Sequence, residues 1–187
     1  MTDKFLITCE GEIDKLIVKK VRDYLVSLGS NRRAKDIRID KSKGNSEVLK
    51  KILSFPGNCI GIIDDDKRKP ETFGQFQKCD VVKDTKYFNN CGLSLNFYPD
   101  QDKMKYLIVV NPAPENWLDR CAENANKSRT EYGLPEDVKK YRNMAKSTNI
   151  DEALFGKFIK SMLKASVPGK TLKMLIQSTL EFHEYRA

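Results

Sequence analysis

The chain has 187 residues, 40% hydrophobic and 32% charged, with a formal net charge of +8. That length suits one α/β domain or a core with a small helical addition, and the composition excludes wholesale disorder. No apolar stretch approaches the roughly 20 residues of a membrane span, and the first residues lead straight into a strand pattern rather than a signal peptide, so a cytoplasmic protein without a membrane partner is expected.

The first apolar run, over 4–9, ends at Glu10 and Gly11. Ile13, Leu16, Ile17, Val21, Tyr24, Leu25 and Leu28 then recur at spacings of three and four, which predicts an amphipathic helix closed by Gly29. Residues 36–40 alternate like a half-exposed strand. A turn through Lys43 and Gly44 follows, and Ser46 is placed to cap a helix carrying Val48, Leu49, Ile52 and Leu53. Pro56 and Gly57 break that helix before a buried strand over 60–63, which stops abruptly at Asp64, Asp65 and Asp66. This β-α-β-α-β pattern argues for a mostly parallel sheet with right-handed crossovers, flanked by helices.

After Asp66 a charged stretch to Lys78, with Pro70 and Gly74, reads as a loop with one helical turn. Short strands are expected over 79–83, 93–98 and 106–110. Pro112 and Pro114 end the last of these and start a helix with Trp117, Leu118, Cys121 and Ala122 on one face. Beyond about residue 127 the pattern is all helix, over 135–145, 151–165 and 171–183, with breaks at Gly133, at Thr148 and Asn149, and at Pro168 and Gly169. With no linker in sight, the expected organisation is an α/β core over 1–126 and a helical C-terminal extension over 127–187 packed on it.

Five cysteines without Cys-x-x-Cys spacing, and one histidine, His183, favour buried reduced thiols over a zinc site or disulfide framework. The acids are more informative. In an Asp-x-Asp at a strand end, Asp64 and Asp66 can share one side while Asp65 faces the other. Glu10, after a neighbouring strand, would lie about 5 Å from Asp64, close enough to complete a metal site or to act as a base. Carboxylate oxygens suit Mg²⁺, which is commonly held by one or two carboxylates plus substrate phosphates. Basic residues cluster at 31–35, at 41–51 and at Lys67, Arg68 and Lys69. An acidic cluster beside a basic one is the pattern of an enzyme acting on a polyanion.

Taken together, Glu10 and Gly11 after the first strand, Lys43 and Gly44 after the second, and Asp64, Asp65 and Asp66 after the third resemble the Toprim domain of topoisomerases, bacterial primases, OLD-type nucleases and small ribosomal-RNA maturation nucleases. The resemblance covers about residues 4–110. It implies a Toprim-like fold in which Glu10, Asp64 and Asp66 are catalytic and coordinate Mg²⁺ or Mn²⁺ for phosphodiester cleavage. Lys43, Lys67, Arg68 and Lys69 would then hold the nucleic-acid backbone, with Gly11 and Gly44 in accessory roles. The stretch from Asn111 to Trp117 is similar to the Pro-x-x-Glu-x-Trp helix start of some stand-alone Toprim-like proteins, which would turn Glu115 toward the same crevice. Receivers and haloacid dehalogenase-type phosphatases fit less well, because their acidic pair follows the first strand. No ATPase motif is found in this sequence, so an ATPase or other protein partner of the OLD kind would be a separate chain. The expectation is a metal-dependent nuclease on DNA or RNA; the alternative is a partner-dependent or non-catalytic nucleic-acid-binding or effector module.

Overall fold

Apolar residues that alternate between two faces build the centre of a six-stranded sheet. In the computed structural model, which describes residues 5–28, 32–65, 69–78, 90–99 and 104–182, the strands are β1 (Leu6–Cys9), β2 (Arg38–Lys41), β3 (Cys59–Asp64), β4 (Gln77–Lys78), β5 (Leu93–Tyr98) and β6 (Lys105–Val110). The helices are α1 (Glu12–Ser27), α2 (Asn45–Ser54), α3 (Pro114–Asn124), α4 (Val138–Ala145), α5 (Glu152–Ala165) and α6 (Val167–Phe182). The strand order is β2-β1-β3-β6-β5-β4. β1 pairs in parallel with β2 and β3, and β3 with β6, while β5 runs antiparallel to β6 and to β4. The sheet is therefore mixed, and the fold is α/β.

Period-two alternation assigns each strand residue to a layer. Leu6, Cys59, Ile63, Leu107 and Val109 face α2, whose Val48, Leu49 and Ile52 cover that side together with Phe76. Gly61 makes this close approach possible, since a Cβ there would run into Ile52, Leu107 and Val48. On the other face Ile7, Cys9, Ile60, Ile62, Ile108 and Val110 pack in one cluster with the apolar sides of α1, α3, α5 and α6. The helices beyond residue 127 thus share a core with the sheet.

Several boundaries differ from the sequence expectation. Gly44, at φ 90°, rather than Ser46, precedes α2. The last helix begins at Val167 and not after Pro168 and Gly169, because proline is tolerated in a first helical turn and Ser166 Oγ accepts the Gly169 N–H at 3.0 Å. The helix expected from 135 starts at Val138, where the Asp137 side chain accepts the Lys140 N–H. The strand expected at 79–83, Gly29 and His183 lie outside the described residues, but Gln77 and Lys78 form β4 just ahead of that stretch. Cys9, Cys59, Cys91 and Cys121 are buried free thiols. Among the described residues no helix is long and apolar enough to cross a membrane.

Candidate functional site

The chain leaves β1 through α1 toward β2 on one side and leaves β3 toward β6 on the other, so the C-terminal ends of adjacent β1 and β3 form a topological switch point. In open α/β sheets that crevice is where ligands bind. Glu10 and Asp64 stand there. The Asp64 backbone N–H donates to Glu10 Oε2 at 3.4 Å, which joins the two strand ends. Alternation puts Asp64 on the same face as Ile60 and Ile62, the face covered by α1 and α3.

Two further carboxylates approach from those helices. Gly11 is the N-cap of α1 in an extended conformation, and its N–H donates to Asp14 Oδ2 at 2.9 Å. Asp14 is only 4% exposed, and among the described residues its other oxygen, Oδ1, has no hydrogen-bond partner. Burial pushes its carboxyl well above the usual carboxylate range, and the negative charges of Asp64, Glu10 and Glu115 push it further, against the opposing Gly11 N–H bond. Asp14 therefore senses three other acids. A cavity of about 10 Å³ lined by Asp14, Ile17, Ile62, Val110, Trp117 and Leu172 adjoins this cluster and has room for at most about one water.

Glu115, in the first turn of α3, is buried and paired with Lys146 at 3.2 Å. Asp65 points elsewhere, accepting from Asn111 Nδ2 at 2.9 Å and pairing with Lys69 at 2.9 Å. Lys69 also lies over the Phe73 ring, 4.5 Å from its centroid. The lysine expected to hold phosphate is thus engaged by a neighbouring acid and a ring. Lys43 is exposed just beyond the end of β2, its backbone N–H donating to Glu47 Oε2 at 2.6 Å. The β2 end is held to β1 by the Ser42 N–H to Cys9 carbonyl bond at 2.8 Å and by Thr8 and Ser42, whose hydroxyls are 3.0 Å apart.

The structure therefore brings Glu10 and Asp64 together and sets Glu115 where its charge reaches Asp14, with Gly11 and Gly44 at the starts of the flanking helices. Asp66, Lys67 and Arg68 lie outside the described residues. Among the described residues no group of three His, Cys, Asp or Glu side chains forms a ready metal cage. The donor type fits a hard divalent cation: the acids supply only oxygen, and Asp14 keeps an oxygen buried without a hydrogen-bond partner among the described residues. Asp14 is the residue that sequence reasoning missed. The signal was present, because Asp14, Val18, Val21 and Leu25 follow helical spacing and Asp14 interrupts the apolar stripe of α1.

No protein-family profile, no curated protein and no solved structure matches the chain.

Proposed function

We propose that this protein is a Toprim-like, Mg²⁺- or Mn²⁺-dependent nuclease that cleaves phosphodiester bonds of DNA or RNA at the crevice between β1 and β3. The observation that carries this reading is the meeting of Glu10 and Asp64 at the adjoining ends of β1 and β3, with buried Asp14 under the negative charge of both and of Glu115. Such like-charge crowding is costly without a cation, and active sites are where such perturbed carboxyls gather.

In this reading Glu10, Asp64 and Asp66 hold the cation through carboxylate oxygens. The cation, when bound, supplies charge that polarises a phosphate and lowers the pKa of a water. Glu10 is held at Asp64 by the backbone bond and needs little reorganisation. Asp14, bonded to the Gly11 N–H, fixes the turn that carries Glu10 and so acts as a positioning residue. Lys43, Lys67, Arg68 and Lys69 would hold the substrate backbone. Lys69 would have to exchange Asp65 for phosphate.

The direct test is incubation of plasmid DNA and of structured RNA with Mg²⁺ or Mn²⁺, comparing the wild type with Asp64→Ala and Glu10→Gln. Cleavage by the wild type that both variants lose supports the reading; cleavage retained by either removes catalysis from this crevice. If neither wild type nor variants cleave, but the wild type binds nucleic acid, the partner-dependent binding module takes its place.

A further inference from the structure

We infer that the nucleic-acid backbone is held by a basic stripe on α4, made by Lys139, Arg142 and Lys146, which the helical segment lays beside the acidic crevice; this rests on the nuclease reading for the nature of its ligand.

The placement follows from three contacts. The Tyr141 hydroxyl donates to the Glu115 backbone carbonyl at 3.1 Å, Arg142 Nε donates to Asn116 Oδ1 at 2.9 Å, and Lys146 Nζ stands 3.2 Å from Glu115 Oε1. All three anchor α4 to the first turn of α3, the turn that follows β6 at the C-terminal edge of the sheet. Tyr141 and Ala145 are the buried side of α4. Lys139, Arg142 and Lys146, at spacings of three and four, lie to one side of that buried face and are exposed.

From Lys139 to Lys146 the helix rises about 10 Å, so the three cations stand in one row rather than at one point. Within the stripe Lys139 makes no ion pair among the described residues, so it can meet an external anion without breaking an internal one. The Lys146 side chain is 66% exposed although its partner Glu115 is 4% exposed. One side chain therefore links the stripe to the buried acids. The exposed lysines of α5, Lys157, Lys160 and Lys164, make no hydrogen bond or ion pair with the acid-bearing turn among the described residues and serve as the comparison.

The test measures binding of a labelled single-stranded DNA, and of RNA of the same sequence, in EDTA so that nothing is cleaved. The triple variant Lys139→Gln, Arg142→Gln, Lys146→Gln should bind at least about tenfold more weakly and lower the logarithmic salt slope by about two, since each single-strand phosphate contact contributes roughly 0.7. Lys157→Gln, Lys160→Gln, Lys164→Gln should change both far less. If removing Lys146 unfolds the chain, as a thermal melt would show, Lys139→Glu keeps the Glu115 pair and should still weaken binding. Equal losses in the α4 and α5 variants, no loss in the α4 variants, or no binding of either strand by the wild type would overturn the inference. Cleavage is scored separately: wild-type binding through the stripe without cleavage sinks the nuclease reading alone, whereas cleavage with an α4 variant that binds like the wild type sinks the stripe alone.

Discussion

The Gly11 N–H donates to Asp14 Oδ2 at 2.9 Å, and this bond holds a buried carboxyl beneath the turn that carries Glu10. Burial and then the charges of Asp64, Glu10 and Glu115 raise the pKa of that carboxyl.

Asp14 has a folded-state pKa raised by burial and then by Asp64, so the folded chain keeps a proton that the unfolded chain has already released. Stability linked to this group is fully present below the ordinary carboxylate range and is lost as the pH rises through the raised value. Asp14→Asn should therefore raise the thermal midpoint at neutral pH, by about 2 to 4 °C for each kcal/mol of relieved repulsion, and the gain should shrink in acid. Melting curves across pH check this; a lower midpoint at neutral pH would count against it.

Divalent cations should stabilise the wild type by binding the folded state alone, about 2.7 kcal/mol when the free ion is at a hundred times its dissociation constant. Asp64→Asn should weaken Mn²⁺ binding at least tenfold, about 1.4 kcal/mol or more, and should abolish most of the cation-dependent rise in melting temperature. Calorimetric titration and melts with and without Mn²⁺ read the two effects, and a variant with unchanged affinity would remove Asp64 from the ligand set.

Gly61 lies where α2 crosses closest to β3. Gly61→Ala forces its methyl group against Ile52, Val48 and Leu107, an overpacking expected to cost about 1 to 3 kcal/mol. Denaturant unfolding should show a lower midpoint with unchanged slope. An unaltered midpoint would mean that α2 moves away at no cost.

Tyr141→Phe removes the hydroxyl that donates to the Glu115 carbonyl from a side chain that is fully buried. A loss of about 0.5 to 1.5 kcal/mol is expected, with more if that carbonyl finds no water. Because this bond ties α4 to the acid-bearing turn, the variant should also weaken the contribution of Lys146 to binding in the salt-slope assay described above. A stability loss without any change in that contribution would show that α4 is held by its other contacts.

Much of the layout was legible from local pattern. The runs that became β1, β3, β5 and β6 are short and apolar between breaks, and α1, α2, α3 and α5 carry apolar residues at helical spacing, so element type followed from which faces must leave water. Glu10 and Asp64 were legible for the same reason: a charge that ends a buried run must sit at its rim. Strand direction was not, because Leu93–Tyr98 and Lys105–Val110 read alike although one opposes the other, and direction is decided by the connection and by pairing partners. The break expected at Pro168 and Gly169 disappeared into α6 because Ser166 caps the first turn there. Asp14 shows in the sequence only as an acid that interrupts an apolar stripe, with nothing local to say which charges it meets. Only the packing of α1 against the sheet, α3 and α6 encloses it and brings Asp64, Glu10 and Glu115 near. Lys146 likewise reads as one lysine among many, until α4 docks on the first turn of α3 and pairs it with buried Glu115. Sequence by itself determined the elements and the strand-end acids through short-range patterns of hydrophobicity and charge; which charges meet, and how deeply they are buried, depends on contacts between distant segments that only the tertiary structure decides.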